Sequence, residues 1–156
     1  MTQSKGVIYS PASLPEGSEY TWPMDPIPLA IDEREWAAIE TSVAQRATLF
    51  NAILSDLYGS QRLLHERLVP SAIVHGNPHF LRACFGIQPL GGVHLHTYAA
   101  DLARSPDGRW WVIADRTQAP SGMGYTLQNR LISARTLPGV FNQCRVRQLA
   151  RFFDMK

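Results

Sequence analysis

The chain is short of several things that would narrow its function at once. Among its 156 residues are only two cysteines, Cys84 and Cys144, far apart and in apolar neighbourhoods. Two such thiols build neither a disulfide framework nor a metal-ligand spacing, and the expectation is a pair of buried, reduced cysteines in a cytoplasmic protein. No charged start followed by an apolar stretch marks a secretory leader. No apolar run approaches the ~18 residues of a membrane-crossing helix, so no membrane partner is expected. Acids are missing in one place: from Arg116 through Phe153 there is neither Asp nor Glu. The same stretch carries Arg116, Arg130, Arg135, Arg145, Arg147 and Arg151 and no lysine. Guanidinium groups suit bidentate contact with phosphate or carboxylate. A solvated basic face, or arginines paired with acids of the first half, accounts for the same composition. Net charge is only +2 and no nucleic-acid-binding motif is present, so no nucleic acid is expected as a partner.

What is present describes an ordinary globular chain, 45 % hydrophobic and 18 % charged, of one domain or a large piece of one. Residues 1–31 hold Pro11, Pro15, Pro23, Pro26 and Pro28 beside Tyr9, Tyr20 and Trp22, which predicts an extended arm whose aromatics pack on something. Asp32, with Glu35 three residues on, reads as a capping box opening a helix. Trp36, Ile39, Val43, Phe50, Leu54 and Leu57 then recur at helical spacing until Gly59. Ser60 is placed to cap a shorter helix through Leu64 and Leu68, closed by Pro70, and Asn77-Pro78 reads as a third start running through Cys84. From Val93 the pattern turns to strands, 93–104 and 109–115, joined by Ser105-Pro106-Asp107-Gly108. Helices are predicted again over 125–136 and 141–153. The fold class is therefore α+β: an arm over 1–31, then helices within 32–85, a small antiparallel β-hairpin over 93–115 and helices within 122–153.

Two places could carry chemistry. On a regular hairpin Asp101 faces residues 112–114 and Asp115 is its diagonal neighbour, which would give a divalent cation two carboxylates. The alternative is that one acid caps the turn and the other pairs with Arg104 or Arg116. The second place is Pro120-Ser121-Gly122-Met123-Gly124. Gly122 and Gly124 can take positive φ, Ser121 can cap or contact an oxyanion, and the first N–H groups of the following helix make an anion cradle. The turn matches neither a phosphate-binding G-x-x-x-x-G-K-[ST] loop nor a nucleophile elbow. His94 and His96 would share a strand face but lack further ligands at a recognisable spacing. His65, His75 and His79 read as surface or satisfied core residues, and Trp110-Trp111 would place one indole on each face of the sheet.

Two long stretches carry a resemblance. EWAAIETSVAQRATLFNAILSDLYGSQRLLHERLVPSAIV resembles the N-terminal part of the circularly permuted ATP-grasp family, through E-W, Q-R, D-x-Y-G-x-Q and V-P in order. DLARSPDGRWWVIADRTQAPSGMGYTLQNR is similar to that family's D-L-x-R, D-G-R-W, P-S-G-x-x-Y and N-R signature. With WPMDPIPLAI the likeness covers about residues 20–150.

The resemblance implies a partial ATP-grasp-like fold: the N-terminal portion of a longer chain whose remainder, the first partner, completes the ATP clamp. The only lysines are Lys5 and Lys156, so the nucleotide-contacting lysines would come from that remainder. It further implies ATP and Mg²⁺ as cofactors, and a small-molecule or peptide substrate joined through an acyl phosphate to an amine, as in glutathionylspermidine synthase-like members. Arg116 and Arg130 would be catalytic, Ser121, Gly122, Gly124, Tyr125 and Asn129 would bind phosphate or substrate, and Asp101 and Asp115 would hold the metal. Where related members read E-D-N, this chain reads Ala114-Asp115-Arg116, and an arginine cannot coordinate a cation. That departure leaves a rival expectation, a non-catalytic relative serving as an anion- or peptide-binding module. A homodimer of the isolated piece is a further expected partner.

Overall fold

The computed structural model of the chain describes residues 8–9, 15, 20–25, 27–149 and 151–154. In chain order the elements are β1 (Ile8–Tyr9), β2 (Tyr20–Thr21), α1 (Glu33–Leu57), α2 (Arg62–His65), α3 (Ser71–His75), β3 (Ala99–Arg104), β4 (Trp110–Arg116), α4 (Met123–Thr136), α5 (Pro138–Cys144) and α6 (Arg151–Asp154), with 3-10 turns at Arg82–Cys84 and Leu90–Gly92. β1 pairs antiparallel with β2, and β3 with β4. Helices beside a small antiparallel hairpin make this an α+β chain. Its contacts divide it differently from an arm plus one domain: residues 31–120 form one unit, and the described residues before Ile31 group with those after Pro120. Much of the expected arm lies outside the described residues.

In the 31–120 unit the hairpin lies along α1. Asp32 caps the helix by accepting the Glu35 N–H at 2.7 Å. The Glu35 carboxylate does not reach back to complete the box. It accepts Trp110 Nε1 at 2.8 Å and pairs with Arg104 Nη2 at 3.1 Å, both from the turn end of the hairpin. Eleven residues later Arg46 reaches Asp115, near the open end of β4. Eleven helical residues rise about 16 Å, and the five steps of strand from Trp110 to Asp115 rise about 16 Å as well. Helix and strand therefore run side by side with a polar tie at each end. Ile39, between the two ties on α1, is one of two buried apolar residues among those described, with Val74 the other.

The turn of the hairpin follows its sequence. Ser105 N–H donates to the Arg109 carbonyl at 2.8 Å, Gly108 takes φ +85°, and the Asp107 carboxylate accepts the Ser105 hydroxyl and the Arg109 N–H. The first strand is shorter than the expected 93–104, because β4 offers partners only back to Ala99. Instead Asn51 of α1 holds the approach: its Oδ1 accepts the N–H groups of His94 and Leu95 at 2.8 and 3.0 Å, and its Nδ2 donates to the Gly92 carbonyl. His94 and His96 thus share no strand face, and His94 stacks on Tyr58.

The exit of α1 explains the D-x-Y-G-x-Q stretch. Asp56, not Ser60, caps α2: its carboxylate accepts the N–H groups of Arg62 and Leu63 and the Ser60 hydroxyl. Gln61 takes the left-handed conformation, φ 53°, and returns its side-chain amide to the Leu57 carbonyl. The Tyr58 hydroxyl accepts the Leu81 N–H, while its carbonyl accepts the Gly86 N–H at 2.7 Å. A methyl group on Gly59 would sit 2.7 Å from the Ser55 carbonyl oxygen. α2 stops at His65 rather than running to Leu68, because Leu68 and Val69 N–H groups both turn back to the Leu63 carbonyl. The expected helix from Asn77 is a turn: Asn77 Oδ1 accepts the His79 N–H, a local bond that competes with helix, and only a 3-10 turn at 82–84 follows. Cys84 is half-buried and Cys144 exposed, which corrects the expected buried pair.

In the other unit α4 runs over 123–136 and Pro138 opens α5 at its first position. The expected single helix over 141–153 is interrupted. Arg145 adopts φ 48° and ends α5 at Cys144, and α6 begins only at Arg151. The arm's Trp22 packs on α4, which meets the expectation that its aromatics pack.

Candidate functional site

Asp101 and Asp115 are not diagonal neighbours. The register is Ala99–Arg116, Ala100–Asp115 and Asp101–Ala114, then Leu102–Val112, so Ile113 is an extra residue on β4. One inserted residue in a structure of period two sends every later side chain to the other face. Without the bulge, Asp115 would share the face of Asp101, Trp111 and Ile113. With it, Asp115 joins Trp110, Val112 and Leu102 on the face toward α1, and Arg116 joins Asp101 on the outer face.

Each acid has its own arginine. Asp115 receives Arg46 in a fork, Nε to Oδ1 at 3.0 Å and Nη2 to Oδ2 at 2.5 Å. The Tyr98 hydroxyl donates to the same Oδ1. The Arg46 and Asp115 side chains are 39 % and 24 % exposed. Phe50, one turn on from Arg46, completes the group: its ring lies 5.9 Å from the guanidinium carbon and 5.9 Å from the Tyr98 ring. Arg46, and secondarily Tyr98, hold the Asp115 carboxyl below the usual carboxylate range. Burial, then the neighbouring Asp115, push the Tyr98 phenol up. On the outer face Arg116 forks onto Asp101, Nε at 3.1 Å and Nη2 at 2.7 Å, and lowers its carboxyl. That pair is the ion-pair alternative foreseen for Asp101. Around it the outer face is open, with Ile113 67 % and Trp111 53 % exposed. Arg109 covers the Trp111 ring at 5.3 Å.

These residues do not fit a shared divalent cation. The two carboxylates point to opposite faces, both are taken by guanidinium forks, and no group of three or more His, Cys, Asp or Glu among the described residues could hold a metal ion.

The other candidate residues lie in the second unit, at the start of α4. Gly122 sits at the N-cap with φ +97°, a conformation a side chain would strain. Gly124 is inside the helix and does not share that conformation, contrary to expectation. Ser121 is exposed and makes no capping bond, so the helix begins without a side-chain acceptor for its first N–H groups. Tyr125 stacks on Trp22 with ring centres 4.6 Å apart and planes at 16°. Asn129, one turn further, accepts Trp22 Nε1 at 2.9 Å. Arg130 lies with its guanidinium carbon 5.7 Å from the Phe141 ring centre. Sequence reading missed Arg46, Tyr98 and Trp22 as partners of candidate residues. Arg46 had one signal, the Q-R of the resembling pattern on the helix face that begins at Glu35.

The description of circularly permuted ATP-grasp type 2 proteins matches residues 28–155. The chain belongs to the circularly permuted ATP-grasp family. It is 40 % identical over 131 residues to an uncharacterized protein of Mycobacterium tuberculosis, covering 84 % of this chain and 15 % of that protein. An uncharacterized Synechocystis protein is 38 % identical over 136 residues, 87 % of this chain and 28 % of its own length. One from Mycobacterium leprae is 35 % identical over 131 residues, with 84 % and 23 % covered. The chain thus spans well under a third of the length of these relatives. No helix among the described residues is long and apolar enough to cross a membrane.

Proposed function

We propose that this chain is the N-terminal portion of an ATP-dependent carboxylate–amine ligase and forms the phosphate and substrate wall of its site. The observation that carries the reading is the start of α4. Gly122 turns the chain in the left-handed region, no side chain caps the helix, and no acid follows until Asp154. Free N–H groups at the positive end of a helix dipole favour an anion. In such a ligase a carboxylate oxygen attacks the terminal phosphorus of ATP and ADP departs. The amine then attacks the carbonyl carbon, and phosphate leaves. The first-turn N–H groups, with Ser121, Gly122 and Gly124, would hold phosphate oxygens. Arg130, steadied by Phe141, would take a phosphate or substrate carboxylate, with Tyr125 and Asn129 shaping the substrate side. Arg116 contributes only if it leaves Asp101. The remainder of the polypeptide would supply lysines for the nucleotide and ligands for its Mg²⁺. The type of product, a peptide-like amide as in glutathionylspermidine synthase-like proteins, belongs to the same proposal, as does work in the cytoplasm.

A second reading is favoured by one observation, the arginine on each hairpin acid: a relative that keeps the scaffold and binds an anion or a peptide without catalysis. Calorimetry and phosphate release on the full-length protein with Mg²⁺-ATP separate the two. Amine-dependent phosphate release, reduced ~100-fold or more by Arg130→Ala, is the ligase result. Binding with no turnover across a panel of amines supports the module. ATP hydrolysis by the 156-residue chain alone would sink the fragment reading.

A further inference from the structure

We propose that the two hairpin acids of this chain are guanidinium-bound positions and not cation ligands, and that Arg46 is the positioning residue that commits Asp115 to this role. The proposal rests on the reading above only in supposing that ATP arrives with a divalent cation.

Three observations converge. The extra residue at Ile113 turns Asp115 toward α1 and leaves Asp101 on the opposite face, so no single ion can take oxygens from both. A carboxylate has about four lone-pair sites. At Asp115 the two donors of the Arg46 fork and the Tyr98 hydroxyl occupy three of them. At Asp101, Arg116 forks in the same way from two residues along the neighbouring strand edge. Each fork matches its carboxylate in plane and cancels its charge, which is what a bound cation would otherwise do. The hairpin then presents two neutral pairs rather than two free acids. Arg46 and Asp115 lie 69 residues apart in sequence, so this neutralisation also fastens α1 to β4.

The test is a Mn²⁺ titration of the ¹⁵N-labelled chain. Mn²⁺ takes the same oxygen ligands as Mg²⁺ and broadens nearby amide signals. The amides of Ala100–Leu102 and Ala114–Arg116 are expected to keep their intensity in the wild-type chain at Mn²⁺ concentrations where Arg116→Asn, which frees Asp101, loses it at Ala100–Leu102. Wild-type broadening at these amides that Asp115→Asn or Asp101→Asn removes would overturn the proposal. A thermal double-mutant cycle of Arg46→Met and Asp115→Asn reads the clamp separately. The double variant is expected to melt close to either single one. Strictly additive losses would overturn the assignment of Arg46. Should Arg46→Met not fold, Arg46→Lys keeps the charge without the fork and is expected to melt between wild type and Asp115→Asn. Wild-type melting for Arg46→Lys would count against the fork. Neither readout involves α4, so a failure of the phosphate wall and a failure of this proposal are distinguishable.

Discussion

Asp56, Asp101, Asp107 and Asp115 owe their depressed carboxyl groups to different donors, and each contributes to how the chain responds to acid. Backbone N–H groups led by Leu63 act on Asp56, Arg116 acts on Asp101, the Ser105 hydroxyl acts first on Asp107, and Arg46 acts on Asp115. A carboxyl lower in the folded than in the unfolded chain contributes stability that is fully present above its ordinary value near pH 4. That contribution is lost as pH falls through the depressed folded value. Melting temperature followed by circular dichroism is therefore expected to hold to about pH 5 and to drop steeply below about pH 4. Asp56→Asn is expected to flatten the drop, since it cannot change charge. A wild-type profile flat to about pH 2 would show that these contacts do not persist in solution. Trp22 gives a second prediction at this scale. Trp22→Phe keeps an aromatic on Tyr125 but gives up the bond to Asn129, a loss of about 1 kcal/mol. Faster hydrogen exchange across α4 should report it, and unchanged exchange would mean that Trp22 does not fasten the helix.

Among elements, the bulge in β4 has the largest consequence for the site. Deleting Ile113 removes the unpaired residue and makes the ladder regular, with Ala114 still opposite Asp101 and Asp115 still opposite Ala100 on the face toward α1. The expected result is that the open-end tie to α1 is kept, seen as amide shift changes along β3 and β4 with little change at Arg46 and Phe50. Large changes at Arg46 and Phe50 would show that the bulge itself is needed to bring Asp115 to Arg46. α1 is legible in the sequence because its cap, its apolar spacing and its length agree. The short elements after it are not. Asp56 rather than Ser60 caps α2, and Asn51 rather than a strand partner holds residues 94–95. Both are long side-chain reaches from α1 that no local pattern announces. The Asn77 turn and the Arg145 break had compositions equally suited to helix, and local hydrogen bonding or a left-handed residue decided them.

Taken as a whole, the described chain leaves large apolar side chains uncovered, among them Leu90 at 97 % exposure, Ile27, Leu29, Leu68, Ile73 and Ile113. If the chain is, as proposed, the N-terminal portion of a longer polypeptide, the remainder would cover part of this surface. The 156-residue chain is then expected to bind a hydrophobic dye strongly, and that longer polypeptide to bind it several-fold less per molecule. Equal dye binding would argue that the remainder of the chain does not cover these residues. A concentration-dependent loss of dye binding by the short chain would point to a homodimer instead.

The sequence by itself determined the family, the α+β class, the long capped helix, the hairpin with its Ser-Pro-Asp-Gly turn and the glycine-led start of α4. Each of these rests on local chemistry: spacing, capping, turn residues and an ordered set of motifs. Only the tertiary structure decided what the acids do. Whether Asp115 faces Asp101 or Arg46 turns on one unpaired residue in β4 and on an arginine 69 residues earlier. A strand's faces alternate with every residue, so a single insertion reverses a site that spacing alone would have assembled.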